Sequence, residues 1–286
     1  MVGNPGVGKS SMFQRYARQA FRVAARAGYA ARGFVYLIIG FFAALAAVGA
    51  GETMDSKEAL ERVLTNRFGG LIAIALVLGL AAYSLWRLVQ AILDTDRHGR
   101  GGKGIVIRTG LLISGISYAA LSLFTGSLVR GAGSPPGDGG VIATTIAGGI
   151  GATPAAAALA LMFAIVAFAH FIKAWTGRYA DHLTAGRAAM RWIHPVSKLG
   201  LFARGLSFGV IAVLFGYRAI GDQHDQGGTI GLADALDFVV ELPAGDWLLA
   251  GSGLGLLLFA AYSFIQTAYR RINIEDVGSP ERPTGD

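Results

Sequence analysis

Six runs of mostly apolar residues, each about 17 or more long, follow one another along this chain. Each is long enough to cross the hydrocarbon core of a bilayer as a helix. No other feature constrains the fold as tightly. A segment in lipid must satisfy every backbone N–H and C=O internally, and an α-helix does so within itself. The pattern predicts helices over 34–50, 69–90, 105–129, 154–175, 201–220 and 247–269. Charged residues are 15% of the chain, against about 25% in soluble domains, and the mean hydropathy is +0.51. The expected class is an all-α membrane protein with six transmembrane helices.

The odd-numbered runs share an entry. Gly28 to Gly40 reads GYAARGFVYLIIG; the device returns at Gly104 as GIVIRTGLLISG and at Gly200 as GLFARGLSFGV. Each copy places an arginine (Arg32, Arg108, Arg204) where a basic polar loop becomes apolar. The even runs repeat as well. Ala82-Tyr83-Ser84 matches Ala261-Tyr262-Ser263, with Ala169-His170-Phe171 a looser counterpart. The chain therefore divides into a segment 1–27, hairpin repeats 28–97, 98–182 and 183–274, and a polar tail 275–286 that reads as disordered. Each hairpin holds an even number of helices, so all three face the same way. Parallel repeats are related by an axis along the membrane normal, which predicts pseudo-threefold symmetry. Residues 51–68 read as a short surface helix, and the weakly apolar 141–153 stands in its place in the second copy.

Charge sets the orientation. The termini and the even loops hold 20 Lys and Arg against 7 acids, a net +13; the odd loops hold 5 against 11, a net −6. The positive-inside rule puts both termini in the cytoplasm. The localisation expected is a bacterial plasma membrane, entered many times. The basic balance then reflects topology and implies no nucleic acid. Its natural partners are anionic lipid headgroups on the cytoplasmic side.

The N-terminus carries two further signals. Gly3, Gly8, Lys9 and Ser10 fit the phosphate-binding pattern G-x-x-x-x-G-K-[ST], which needs a buried strand before it; only Met1 and Val2 precede Gly3. A chance match, or a true start at Met12, explains it better. Residues 12–27 form an amphipathic helix, with Arg15, Arg18, Arg22 and Arg26 opposite an apolar face. It suits either the headgroup layer or the basic end of the bundle. The first apolar run is not a signal peptide, since two later copies of it lie mid-chain.

Taken together, the Gly-Tyr-Ala-Ala-Arg-Gly entry, the AYSLWRLVQA exit and the three-hairpin plan resemble the bacterial membrane family called domain of unknown function 1206. The resemblance covers about residues 24–274. It implies a multi-pass membrane protein and supplies no activity and no site residues. The middle copy departs most, with Thr109 after its arginine and His170 at the tyrosine position.

The candidate residues are few. Arg32, Arg108 and Arg204 could ring the axis and favour anions, or snorkel to headgroups and fix topology. His170 and Lys173 lie one turn apart in the fourth run, where ionisable groups are costly and often functional; both also fall in its cytoplasmic third, where Lys173 can reach the interface. Tyr83 and Tyr262 sit at matching depth, as an interfacial belt or as hydroxyls bonded across helices. Asp222, His224 and Asp225, like Asp94, Asp96 and His98, read as solvated acidic turns. The chain has no cysteine, no zinc-protease or Ser/His/Asp arrangement, and no signature of a cofactor or metal. Gly205 with Gly209, and Gly251 with Gly255, form G-x-x-x-G pairs that predict close helix crossings. The expected function is a structural or interaction protein of the membrane and not an enzyme. A small-solute or ion transporter using the axis is the alternative, and nucleotide binding a remote second.

Overall fold

The structure, a computed structural model, describes residues 6–49, 60–62, 64, 69–96, 98–99, 101–130, 151–220 and 245–272, without the side chains of 6–18, 103, 129, 152 and 218. Among them are six α-helices: α1 (Gly6–Ala47), α2 (Gly69–Leu93), α3 (Gly102–Val129), α4 (Ala152–Thr176), α5 (Arg187–Ile220) and α6 (Gly245–Tyr269), with a 3-10 turn at Ala180–His182. All six are long and apolar enough to cross a membrane. Of the expected surface helix 51–68 only 60–62 and 64 are described; they are helical, with Leu60 fully buried and Leu64 packed on the core, while the loops 131–150 and 221–244 and the tail from 273 lie outside the described residues.

Two helices are longer than the pattern predicts. The amphipathic segment and the first apolar run are one helix of 42 residues, about 63 Å at 1.5 Å per residue. Gly28 lies inside it without breaking it, because its missing side chain serves packing. Helix α5 starts at Arg187 and not at 201, so much of the basic loop before it is helical, Pro195 included. Apolar periodicity marks the lipid-embedded part of such a helix and says little about its polar extension.

Close packing links the helices in the order α3–α2–α1–α6–α5–α4. Half of the most apolar window of α1 is buried and 44% of that of α6, against 28% for α3 and 22% for α4; α1 and α6 are the centre. The row curves on itself. Lys173 of α4 lies in the field of Arg87 of α2, and Tyr118 of α3 in that of Arg204 of α5. Helix α6 thus closes on α1, and α3 and α4 are not among the closely packed pairs.

Glycines set the crossings. A Cβ on Gly28 would stand 2.6 Å from Cα of Tyr83, and one on Gly200 would stand 2.7 Å from the amide N of Phe259. Gly40 and Gly253 let α1 and α6 meet backbone to backbone. The G-x-x-x-G expectation needs correction, because only half of each pair is used. Gly205 receives the ring of Phe171 and Gly255 the methyl of Ala203, whereas Gly209 and Gly251 face open space.

We call the end where α1 enters near Gly28 and α6 leaves at Tyr269 the basal end. Towards the distal end the centre is apolar: Ile38, Ile39, Ala43, Leu76, Leu249 and Leu256 are buried together. Ser122, Thr125 and Ser127 are also buried on the distal part of α3. Their hydroxyls are spent on the carbonyls of Val77, Leu121 and Phe124.

Candidate functional site: a basal cluster of cations

Polar chemistry concentrates in the basal half, around Arg32. The close approach of Gly28 to Tyr83 brings the next turn of α1 between α2 and α6. Arg32 is 5% exposed. Its guanidinium donates from Nη1 to Tyr83 Oη at 2.5 Å, from Nε to Ser263 Oγ at 3.1 Å and from Nη2 to Gln266 Oε1 at 2.5 Å. The rings of Tyr29, Tyr83 and Phe259 flank it, with centroids 5.1–5.4 Å from Cζ. Three neutral acceptors and three ring faces satisfy the donors without neutralising the charge.

The network continues along α2. Arg87, one turn beyond Tyr83, donates from Nε to the same phenol oxygen at 2.8 Å and from Nη1 to Gln90 Oε1 at 3.3 Å. Gln90 Nε2 donates to Asp96 Oδ2 at 2.8 Å, and Arg270 Nη2 lies 3.0 Å from that oxygen. Arg270 is held at the end of α6 by the α4–α5 connector. Leu183 and Arg270 form an antiparallel bridge, with Thr184 N on Tyr269 O and Arg271 N on His182 O. One chain of hydrogen bonds thus runs from Ser263 to Arg270 through α1, α2 and the α2–α3 loop.

The three entry arginines do not form a ring. Arg32 is the buried hub. Arg204 is half-buried and stacks on Phe208, Tyr36 and Phe259, at 4.0, 4.7 and 5.9 Å. Arg108 donates to the last carbonyls of α2, Ala91 O at 2.7 Å and Ile92 O at 3.0 Å. These carbonyls have no partner within their own helix and carry the negative end of its dipole. Tyr83 is fully buried, with its hydroxyl bonded across helices. Tyr262 is also buried, but its hydroxyl has no partner among the described residues. On α4, His170 Nδ1 lies 2.8 Å from Val166 O. Lys173 makes no hydrogen bond or ion pair among the described residues, and the charges of Arg270, Arg87 and Arg32 act on it.

Gly8, Lys9 and Ser10 lie within α1, and Gly3 lies outside the described residues. No strand is present among the described residues to feed a phosphate loop. Asp94 is a helix-end device: with φ 49° it follows α2 in the left-handed conformation. Its carboxylate accepts from the amides of His98 and Gly99, both at 2.7 Å. Burial pushes its pKa up, but those two amides outweigh burial and hold it below the usual value. At His182 burial comes first, and then the charge of Arg270; together they hold the imidazole below its usual 6.5. No group of three or more metal-ligating side chains occurs among the described residues.

Sequence reading missed most of this network: Gln90, Ser263, Gln266 and Arg270 as partners, and Arg87 as more than a loop charge. A signal was present. Tyr83 with Arg87, and Tyr262 with Gln266 and Arg270, recur every four residues, so each set lines one helix face.

Six helices long and apolar enough to cross a membrane, among the described residues, define the class as that of helical membrane proteins. The model of the family described as Domain of Unknown Function (DUF1206) matches residues 27–94 and 199–270. The chain is similar to that family over these two stretches, which fall on the α1–α2 and α5–α6 hairpins. It is also 28% identical over 257 residues to a Bacillus subtilis (strain 168) protein described as uncharacterized protein YxxB, covering 87% of this chain and 91% of that one. No solved structure matches.

Proposed function

We propose that this chain is a structural or interaction protein of a bacterial plasma membrane, without catalytic activity. In this reading three parallel hairpin repeats surround a pseudo-threefold axis, and both termini are cytoplasmic. The observation that carries it is the closed distal half. Gly40 and Gly253 bring α1 and α6 into backbone contact there, Ile39, Ala43, Leu249 and Leu256 fill the centre, and the buried hydroxyls of α3 are spent on carbonyls. A conduit needs a polar path from face to face; among the described residues the buried charged side chains, Arg32 and Arg270, lie in the basal half. The repeat arrangement is supported by α1 on α6, α3 on α2 and α5 on α4, each odd helix packing on the even helix of another hairpin.

The test uses the absence of native cysteine. Val48→Cys at the distal end and Arg178→Cys at the basal end are labelled with a membrane-impermeant maleimide in intact cells. Val48→Cys labels and Arg178→Cys does not. The reverse pattern overturns the orientation. Purified protein in proteoliposomes is expected to pass phosphate, chloride and sodium no faster than protein-free vesicles; flux above that level overturns the non-conducting reading.

A further inference from the structure

Helices α4 and α5 pack closely along one seam and leave a groove beside it. In the seam Phe163 of α4 stacks on Phe208 and Phe215 of α5, with ring centroids 5.8 and 5.7 Å apart. Beside it the small side chains of Ala160, Ala164 and Ala167 on α4, and Gly209 and Ala212 on α5, leave a groove of about 600 Å³ with Phe168 on its rim. That volume is in the range of ligand-binding clefts. Every side chain along it is apolar, and Phe168 is 65% exposed. The basal end of the groove is at Phe171, whose ring lies 5.1 Å from that of Phe202 and seats on Gly205. One turn nearer the basal end, on the same helix faces, stand Trp175 of α4 and Lys198 of α5. Trp175 is 88% exposed, and Arg178 follows two residues after α4 ends. Arg178 and Lys198 are exposed and make no hydrogen bond or ion pair among the described residues. Residues 177–200, all of them described, carry Arg178, Arg187, Arg191 and Lys198 against one acid, Asp181.

We propose that this groove holds an acyl chain of an anionic phospholipid, whose headgroup rests among Trp175, Arg178 and Lys198. Tryptophan at the end of a membrane helix sits at headgroup level, and basic side chains there attract anionic lipid. The groove alone does not choose its occupant. An acyl chain is in hydrocarbon whether bound or free, so the apolar walls add only van der Waals contact. The two cations at its basal end supply the choice. A second copy of the chain, related by a two-fold axis along the membrane normal, would bring its own Arg178 and Lys198 towards this pair, and like charges oppose that. The proposal rests on the reading of this chain as a membrane interaction protein and names a lipid as what it holds.

The experiment uses the full-length protein in nanodiscs of phosphatidylcholine and phosphatidylglycerol in equal amounts. The protein is released into neutral detergent, and retained lipid is identified and counted by native mass spectrometry. Two variants accompany it. Ala164→Phe fills the groove, and the double variant Arg178→Gln, Lys198→Gln removes the charges at exposed positions. Melting temperatures show that each is folded; should Ala164→Phe not fold, Ala212→Leu fills the same groove from α5. Wild type is expected to retain phosphatidylglycerol over phosphatidylcholine by about tenfold or more. Ala164→Phe retains neither lipid, and the double variant loses the preference. Equal retention of the two lipids by wild type, no retention, or a preference that either folded variant leaves unchanged overturns the proposal. So does a wild-type dimer that Ala164→Phe dissociates, which gives the groove to a second copy. Lipid retention is read apart from flux and labelling, so this proposal and the functional reading can each fail alone.

Discussion

Arg32 and Arg87, one on α1 and one on α2, donate to the same phenol oxygen, that of Tyr83. Two cations share a neutral acceptor where a soluble protein would place a carboxylate. Both side chains are fixed by it, so the oxygen positions the whole basal network.

Tyr83→Phe therefore strips an acceptor from two guanidinium groups at once. Hydrogen bonds to charged groups contribute about 1.5–3 kcal/mol each, and a loss of about 3 kcal/mol is expected on thermal or denaturant unfolding in detergent. Arg32→Lys is expected to be comparably damaging. An ammonium is a point donor and lacks the planar fork that meets Tyr83, Ser263 and Gln266 together. A lysine variant as stable as wild type would show that charge alone, and not that fork, is what α1 contributes.

Two glycines on odd helices give a matched pair of opposite sign. In Gly28→Ala the new methyl meets the Tyr83 backbone, which cannot rotate away, and overpacking of this kind costs about 1–3 kcal/mol. In Gly209→Ala the methyl meets nothing within 4 Å, and the helix gains up to about 1 kcal/mol of propensity. The melting temperature should fall in the first and hold or rise in the second.

Acid should act through His182. Its imidazole is held below the ordinary 6.5, first by burial and then by Arg270, so the unfolded chain takes up a proton before the folded one does. The associated stability is complete above 6.5 and is lost as pH falls from there towards the folded value. Between pH 7 and pH 5, His182→Gln should lose less melting temperature than wild type. Equal losses would mean that the imidazole is solvated in the folded protein.

The six helices were legible because bilayer thickness imposes a length and the sequence meets it six times. Interior geometry was less so. Arg32, Arg108 and Arg204 stand in similar local sequence patterns, and that likeness suggested a ring. What separates them is their neighbours. Tyr29, Tyr83 and Phe259 enclose Arg32, whereas Arg108 faces the unpaired carbonyls of Ala91 and Ile92. A repeat fixes where a side chain starts and leaves its partner to tertiary packing. Helix α1 was cut in two for a related reason. The basic turns before Gly28 carry a different periodicity from the apolar turns after it, and the backbone hydrogen bonds ignore that change.

That continuity leaves α1 without a joint between its first turns and Arg32. A tilt imposed on those turns would be carried along one ladder of backbone hydrogen bonds to the place where Gly28 meets Tyr83, one turn from the guanidinium hub.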